Sequence, residues 1–187
     1  MSAAPKERMS YAEYLAFERD SEEKHEYLRG EVWAIAGGTV EHSRLAAAIT
    51  GELRAALAGR PCNVFTSDLR LRVVETDRST YADAFVVCGK VQRAPDDDCA
   101  VENPVVVVEV LSDGTEASDR GEKFQHYRRM PSLREYVLVS QRAPRIEVYH
   151  REGEGWVLRD ALAGGVAELP SLGVTLSVDA VYHDPTA

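Results

Sequence analysis

Residues 104–111, PVVVVEVL, constrain the fold more than any other segment of this 187-residue chain. A β-branched run without polar alternation reads as a strand covered on both faces. Such a strand belongs at the centre of a sheet with other layers packed above and below it. Residues 80–88, TYADAFVVC, have the same character. Residues 69–74 instead alternate, with Leu69, Leu71 and Val73 on one side and Arg70 and Arg72 on the other, the pattern of a half-buried strand. Residues 43–58 predict a helix, because Leu45, Ile49, Leu53 and Leu57 recur every four residues, and Gly59 and Pro61 end it. Residues 10–27 read as a helix opened by Ser10, with Glu13 completing a capping box. Residues 28–36 read as a turn and short strand, and Ala36 to Thr39 as a flexible connection. Residues 92–103, with three consecutive Asp, read as a polar loop. Residues 119–130 read as a helix capped by Asp119, with Glu122 at its third position, and stopped by Pro131. Strands over 134–140, 145–150 and 155–160 follow. The order predicts one α/β (α+β) domain, a central sheet flanked by helices, with a core over roughly 10–160 and residues 161–187 packing on it as an extension.

A chain of this length buries a core without a disulfide or metal. Hydrophobic residues at 44% against 28% charged exclude wholesale disorder. No apolar run approaches the roughly 20 residues of a membrane span, and the N-terminus lacks the apolar core of a signal peptide. Cys62, Cys88 and Cys99 are odd in number and contain no Cys-x-x-Cys. They fit a reducing compartment, argue against a cysteine zinc site, and make a cytoplasmic location the expectation, with Cys88 read as core. The net charge of −9 weighs against a nucleic-acid binder, because phosphate contacts need Lys and Arg. The charge is uneven, however: residues 119–145 carry seven Arg or Lys against three acids, and residues 151–187 carry two against six. A local basic patch is therefore compatible with overall acidity.

Glu109 interrupts the most apolar strand, and period-2 alternation puts it on the face of Val105, Val107 and Leu111. An unpaired carboxylate there costs several kcal/mol or takes up a proton, so Glu109 needs a cation, a donor, or an opening to solvent. A structural ion pair with Arg or Lys answers that need as well as a functional site does. Asp83 stands early in the other apolar strand, where it reads either as a site residue or as a strand-end cap. Lys123 lies 14 residues after Glu109, and Asp119, Lys123 and Tyr127 share one helix face. The plain reading of Asp119 and Lys123 is a surface pair. Taken together, two carboxylates on neighbouring strands supply hard oxygen ligands for Mg²⁺ or Mn²⁺, and a nearby ammonium suits phosphodiester hydrolysis.

These residues resemble the signature of the PD-(D/E)XK nuclease superfamily, which has the restriction-endonuclease-like fold. More closely, the chain resembles the Uma-two family of restriction-endonuclease-like proteins, long labelled a domain of unknown function. HEYLRGEV at 25–32, His42 at the start of the next helix, TYADAFVVC, and the long block 103–140 carry the resemblance, which covers roughly residues 10–160. The family's Pro before the aspartate is Ala82 here, and the lysine of Glu-x-Lys is replaced by Leu111. The resemblance passes that lysine's role to Lys123. It implies that Asp83 and Glu109 bind Mg²⁺ or Mn²⁺ with the Val110 carbonyl as third ligand. Lys123 would then orient water or the scissile phosphate. It further implies a metal-dependent endonuclease acting on DNA, with a homodimer as the arrangement for cutting two strands. His42 and Glu31 stand at the rim of the implied site, or serve as a helix cap and a surface charge. Asp68 reads as a supporting residue or a turn. Tyr127 hydrogen-bonds inside the site or packs. Arg128 and Arg129 are candidate phosphate contacts or part of a solvated face.

Two other functions fit parts of the sequence. A nuclease fold that has lost catalysis and serves as a binding or assembly module fits the acidic net charge. A paired-carboxylate glycosidase fits the two acids but leaves Lys123 without a role.

Overall fold

The computed structural model describes residues 8–35 and 37–186, so the Ala36 part of the expected connection lies outside the described residues. Ser10 caps α1 (Tyr11–Asp20) through the capping box with Glu13. The helix ends at Asp20, not at 27, and β1 (His25–Leu28) follows. Arg29 and Gly30 both take positive φ, the geometry a two-residue hairpin requires, and β2 (Glu31–Ala34) returns antiparallel to β1. α2 (Val40–Ala56) begins three residues earlier than expected, because Thr39 caps it, and it buries Leu45, Ile49 and Leu53.

The chain then runs through β3 (Cys62–Thr66), β4 (Arg70–Val73), β5 (Arg78–Tyr81), β6 (Ala84–Cys88), β7 (Arg93–Ala94), β8 (Asp97–Val101) and β9 (Val106–Leu111). A helical segment comes next: α3 (Glu116–Ser118), a π-helical turn over Asp119–Lys123, and α4 (Phe124–Tyr127). β10 (Glu135–Ser140), β11 (Arg145–Glu152), β12 (Gly155–Leu162), β13 (Val166–Leu169), β14 (Val174–Ser177) and α5 (Val178–Tyr182) complete it.

Two six-stranded sheets result, ordered β2-β1-β5-β4-β8-β7 and β12-β11-β10-β9-β6-β3. The second is mixed: β9 and β10 run parallel, joined through the helical segment, and its other pairs are antiparallel. One face of this sheet, with Val106, Val108 and Val110, packs against α2, α5 and the β13–β14 hairpin. The other, with Phe85, Val87, Val107 and Leu111, packs against Tyr127, Met130 and the Leu71–Val73 face of the first sheet. β9 is thus buried on both sides, as its composition requires. Val105 lies just before the strand and packs with the opposite face from Val107.

Three expectations need correction. The run 80–88 is two strands: the chain passes from the first sheet to the second at Ala82-Asp83. The polar segment 92–103 contains β7 and β8, because Asp97 is buried against the Arg70 guanidinium (2.8 and 3.2 Å) and the Tyr11 hydroxyl (2.7 Å). Cys62 and Cys88 sit directly opposite on β3 and β6 and form a disulfide, leaving Cys99 free and exposed. An odd cysteine count therefore does not carry the expectation of a reducing compartment. Replacing both bridged cysteines by Ser is expected to cost about 2–4 kcal/mol, because the unfolded chain regains the freedom of the loop between them. Urea unfolding reads this directly, and an unchanged midpoint would show that the bridge constrains nothing. No described helix is long and apolar enough to cross a membrane.

Candidate metal and phosphate site

The site forms where the chain leaves one sheet for the other. The β6–β9 register pairs Ala84 with Val108, and continuing it sets Asp83 opposite Glu109. Directly opposed residues share a face, so both carboxylates lie on the side of the sheet that carries the helical segment. The Val110 amide donates to Asp83 Oδ2 (2.7 Å), which pins the strand change in place. His42, in the first turn of α2, reaches over the sheet end and brings Nε2 to 3.2 Å from the same oxygen. The imidazole pKa is raised, chiefly by the hydrogen bond to Asp83 and against the effect of burial, and the Val110 carbonyl adds to the rise.

Glu109 is 3% exposed. Its Oε1 accepts from Lys123 Nζ (3.1 Å) and from the Tyr127 hydroxyl (2.9 Å). Lys123 and Tyr127 are four residues apart on one helix face, which is why both reach the same oxygen. Burial pushes the Glu109 carboxyl well up despite the adjacent ammonium, and Asp119 and Asp83 push it further. Lys123 is held well above its usual value, because Glu109, Glu26 and Asp119 together outweigh its own burial. Both directions have one cause: three buried carboxylates surround a single ammonium.

Two of these acids were not expected in the site. Asp119 is not a helix cap. It lies inside the π-helical turn, 1% exposed, with Oδ1 3.3 Å from Lys123 Nζ. Glu26, on β1, is 2% exposed, with Oε1 3.7 Å from Lys123 Nζ. It also accepts from the Thr80 hydroxyl (2.6 Å) and the buried Arg78 guanidinium (2.8 Å), and Arg78 continues to Glu122 (2.8 Å). Glu26 belongs to the segment 25–32 that carried the family resemblance, but Glu31 was the residue taken from it.

Glu31 lies elsewhere, exposed on β2 and paired with Arg8 at 3.5 Å. Asp68 is likewise exposed and pairs with Lys24 at 3.2 Å. Neither joins the cluster around Glu109. Arg128 and Arg129 follow the last helical turn and are exposed, and Arg129 pairs with Glu75 at 3.4 Å. The basic segment 119–145 does not gather into one open patch. Arg120 is bound to Glu116 and Glu147, Arg142 to Asp113 and Glu116, and Arg145 to Glu147 and Asp160.

Among the described residues, no group of three or more His, Cys, Asp or Glu side chains closes tightly enough to enclose a metal ion. Mg²⁺ does not need one, since it binds through one or two carboxylates and keeps several waters. The donor chemistry fits such an ion: hard oxygens, more acids than fixed cations, and a buried Asp119 Oδ1 with no hydrogen-bond donor.

Comparison with known proteins agrees with this geometry. Residues 11–179 match the model of the Uma2 family, whose description is "Putative restriction endonuclease". An uncharacterized protein of Synechocystis sp. is 36% identical over 182 residues, covering 97% of this chain and 95% of that protein. A second uncharacterized protein of the same organism is 34% identical over 169 residues, covering 90% and 96%. A crystal structure titled as a "putative nuclease belonging to DUF820" from Anabaena variabilis superposes with a TM-score of 0.75. It covers 93% of this chain and 97% of its own, at 16% identity, and shows that the restriction-endonuclease-like arrangement of the fold is shared.

Proposed function

We infer, from the premise that the chain belongs to the Uma2 family, that it is a Mg²⁺- or Mn²⁺-dependent endonuclease hydrolysing phosphodiester bonds in DNA. The observation that carries this reading is the buried Glu109 carboxylate, opposite Asp83 in register and 3.1 Å from Lys123. Asp83 and Glu109 would hold the metal, with the Val110 carbonyl beside them. Such an ion supplies Lewis-acid stabilisation of the charge that builds on the phosphate and lowers the pKa of attacking water. Lys123 works as a fixed positive donor to water or phosphate rather than as a base, because the surrounding carboxylates keep it protonated. Tyr127 holds Glu109 in its rotamer, and His42 holds Asp83. Two copies acting together would cut both strands, and sedimentation equilibrium reads whether the protein is a dimer.

The non-catalytic binding module is the second reading. Its support is the degree to which the site satisfies itself: Asp83 is engaged by His42 and Val110, and Lys123 is enclosed by carboxylates.

Calorimetric titration of Mn²⁺ into the wild type and into Asp83→Asn/Glu109→Gln separates the two. The nuclease reading expects one saturable site in the wild type, lost in the double variant, and cleavage of plasmid or single-stranded DNA that depends on the metal. A wild type that binds no metal and cuts neither substrate sinks it in favour of the binding module.

A further inference from the structure

We propose that Asp119 is a third acidic ligand of the metal, approaching from the helical segment while Asp83 and Glu109 approach from the sheet. This rests on the metal-dependent reading above and adds a residue to it. The sequence pattern gives Asp119 the part of a helix cap, and the paired-carboxylate motif does not include it.

Three observations carry the inference. The first is unspent acceptor capacity. Of the three acids around Lys123, Glu26 is met by Thr80 and Arg78, and Glu109 by Tyr127 and Lys123 through hydrogen bonds. Asp119 has only the 3.3 Å ionic contact to Lys123, and its buried Oδ1 has no hydrogen-bond donor among the described residues. A buried carboxylate oxygen without a donor is costly unless something outside the polypeptide meets it. The second is position. The Asp119 charge acts on Glu109 and on His42 alike, so it lies between the Glu109–Lys123 and Asp83–His42 pairs. The third is backbone form. Asp119 opens a π-helical turn, a widened geometry that helices adopt mostly where a side chain must be re-aimed at a functional site. Three carboxylates from β6, β9 and the helix, with water on the remaining positions, suit the octahedral preference of Mg²⁺ or Mn²⁺.

The test compares wild type, Asp119→Asn, and Asp113→Asn as an exposed acid near the same end of β9. Mn²⁺ affinity is read by calorimetry, and the waters on bound Mn²⁺ by proton relaxation. The expectation for Asp119→Asn is affinity lower by at least ten-fold, one additional water on any Mn²⁺ still bound, and unchanged thermal unfolding cooperativity. Asp113→Asn should match the wild type. If Asp119→Asn weakens binding but leaves the water count unchanged, Asp119 acts through its field alone and is not a ligand. If it binds Mn²⁺ as the wild type does while Asp83→Asn/Glu109→Gln does not, the inference falls and the two-carboxylate site stands. A wild type that binds no Mn²⁺ overturns both.

Discussion

Lys123→Met is expected to lower nuclease turnover by at least about 10²-fold, the usual cost of losing a preorganised donor at a site of developing charge. It is also expected to cost the fold about 3–5 kcal/mol, because it strips the shared cation from buried carboxylates. Lys123 is itself buried, and its Nζ lies 3.1 Å from Glu109, 3.3 Å from Asp119 and 3.7 Å from Glu26. The stability loss has a definite pH dependence. Glu109 already has a raised pKa in the folded state, so the folded protein holds a proton that the unfolded chain releases near the ordinary glutamate value. Such a group gives its full stabilisation below the unfolded pKa and loses it as pH rises through the folded one. Removing the ammonium raises the folded value further. The variant should therefore fall away from the wild type as pH increases, and urea unfolding at pH 5 and pH 8 measures the gap. A gap that narrows toward pH 8 would mean that Lys123 does not neutralise these acids.

Glu109 was legible because a charged residue in a strand buried on both faces has no bland neighbours. Lys123 and Tyr127 were legible from helical spacing, which fixes a shared face without any knowledge of the rest of the chain. The central sheet followed from the same two apolar runs. What stayed hidden depends on long-range pairing. Glu26 looks like a surface acid until Arg78, 52 residues away, is seen to bind it, and Asp97 until Arg70 does. Cys62 and Cys88 look unrelated until antiparallel pairing sets them opposite. Asp119 was misread for a different reason: an acid followed three residues later by Glu imitates a capping box, and local pattern cannot reveal that the helix starts a turn earlier. Glu31 was favoured over Glu26 although the two occupy different strands of one hairpin. Glu26 pairs across to Trp33 and turns inward, whereas Glu31 stands at the turn and meets solvent.

Arg78→Met is expected to destabilise the protein by about 3–5 kcal/mol, since it leaves Glu26 as a buried charge without its guanidinium. Arg78 and Glu26 are both about 2% exposed, and their contact is 2.8 Å. Loss of the Arg78–Glu122 contact adds little, because Glu122 is exposed. The double variant Arg78→Met/Glu26→Met should recover more than half of that loss. Two apolar side chains of similar length replace two desolvated charges, an exchange that is often neutral. The recovery should not extend to the site. Glu26 is one of the three carboxylates that hold Lys123, so a stable double variant is expected to turn over DNA more slowly than the wild type while still binding Mn²⁺ through Asp83 and Glu109. Urea unfolding, Mn²⁺ titration and cleavage kinetics on the same three proteins test each step. A double variant no more stable than Arg78→Met would show that the pair is not the unit that matters for the fold. A stable double variant with wild-type turnover would free Lys123 from any dependence on Glu26. The expected combination, with stability regained and turnover lost, would make the Arg78–Glu26 pair a device that trades fold stability for the placement of one ammonium.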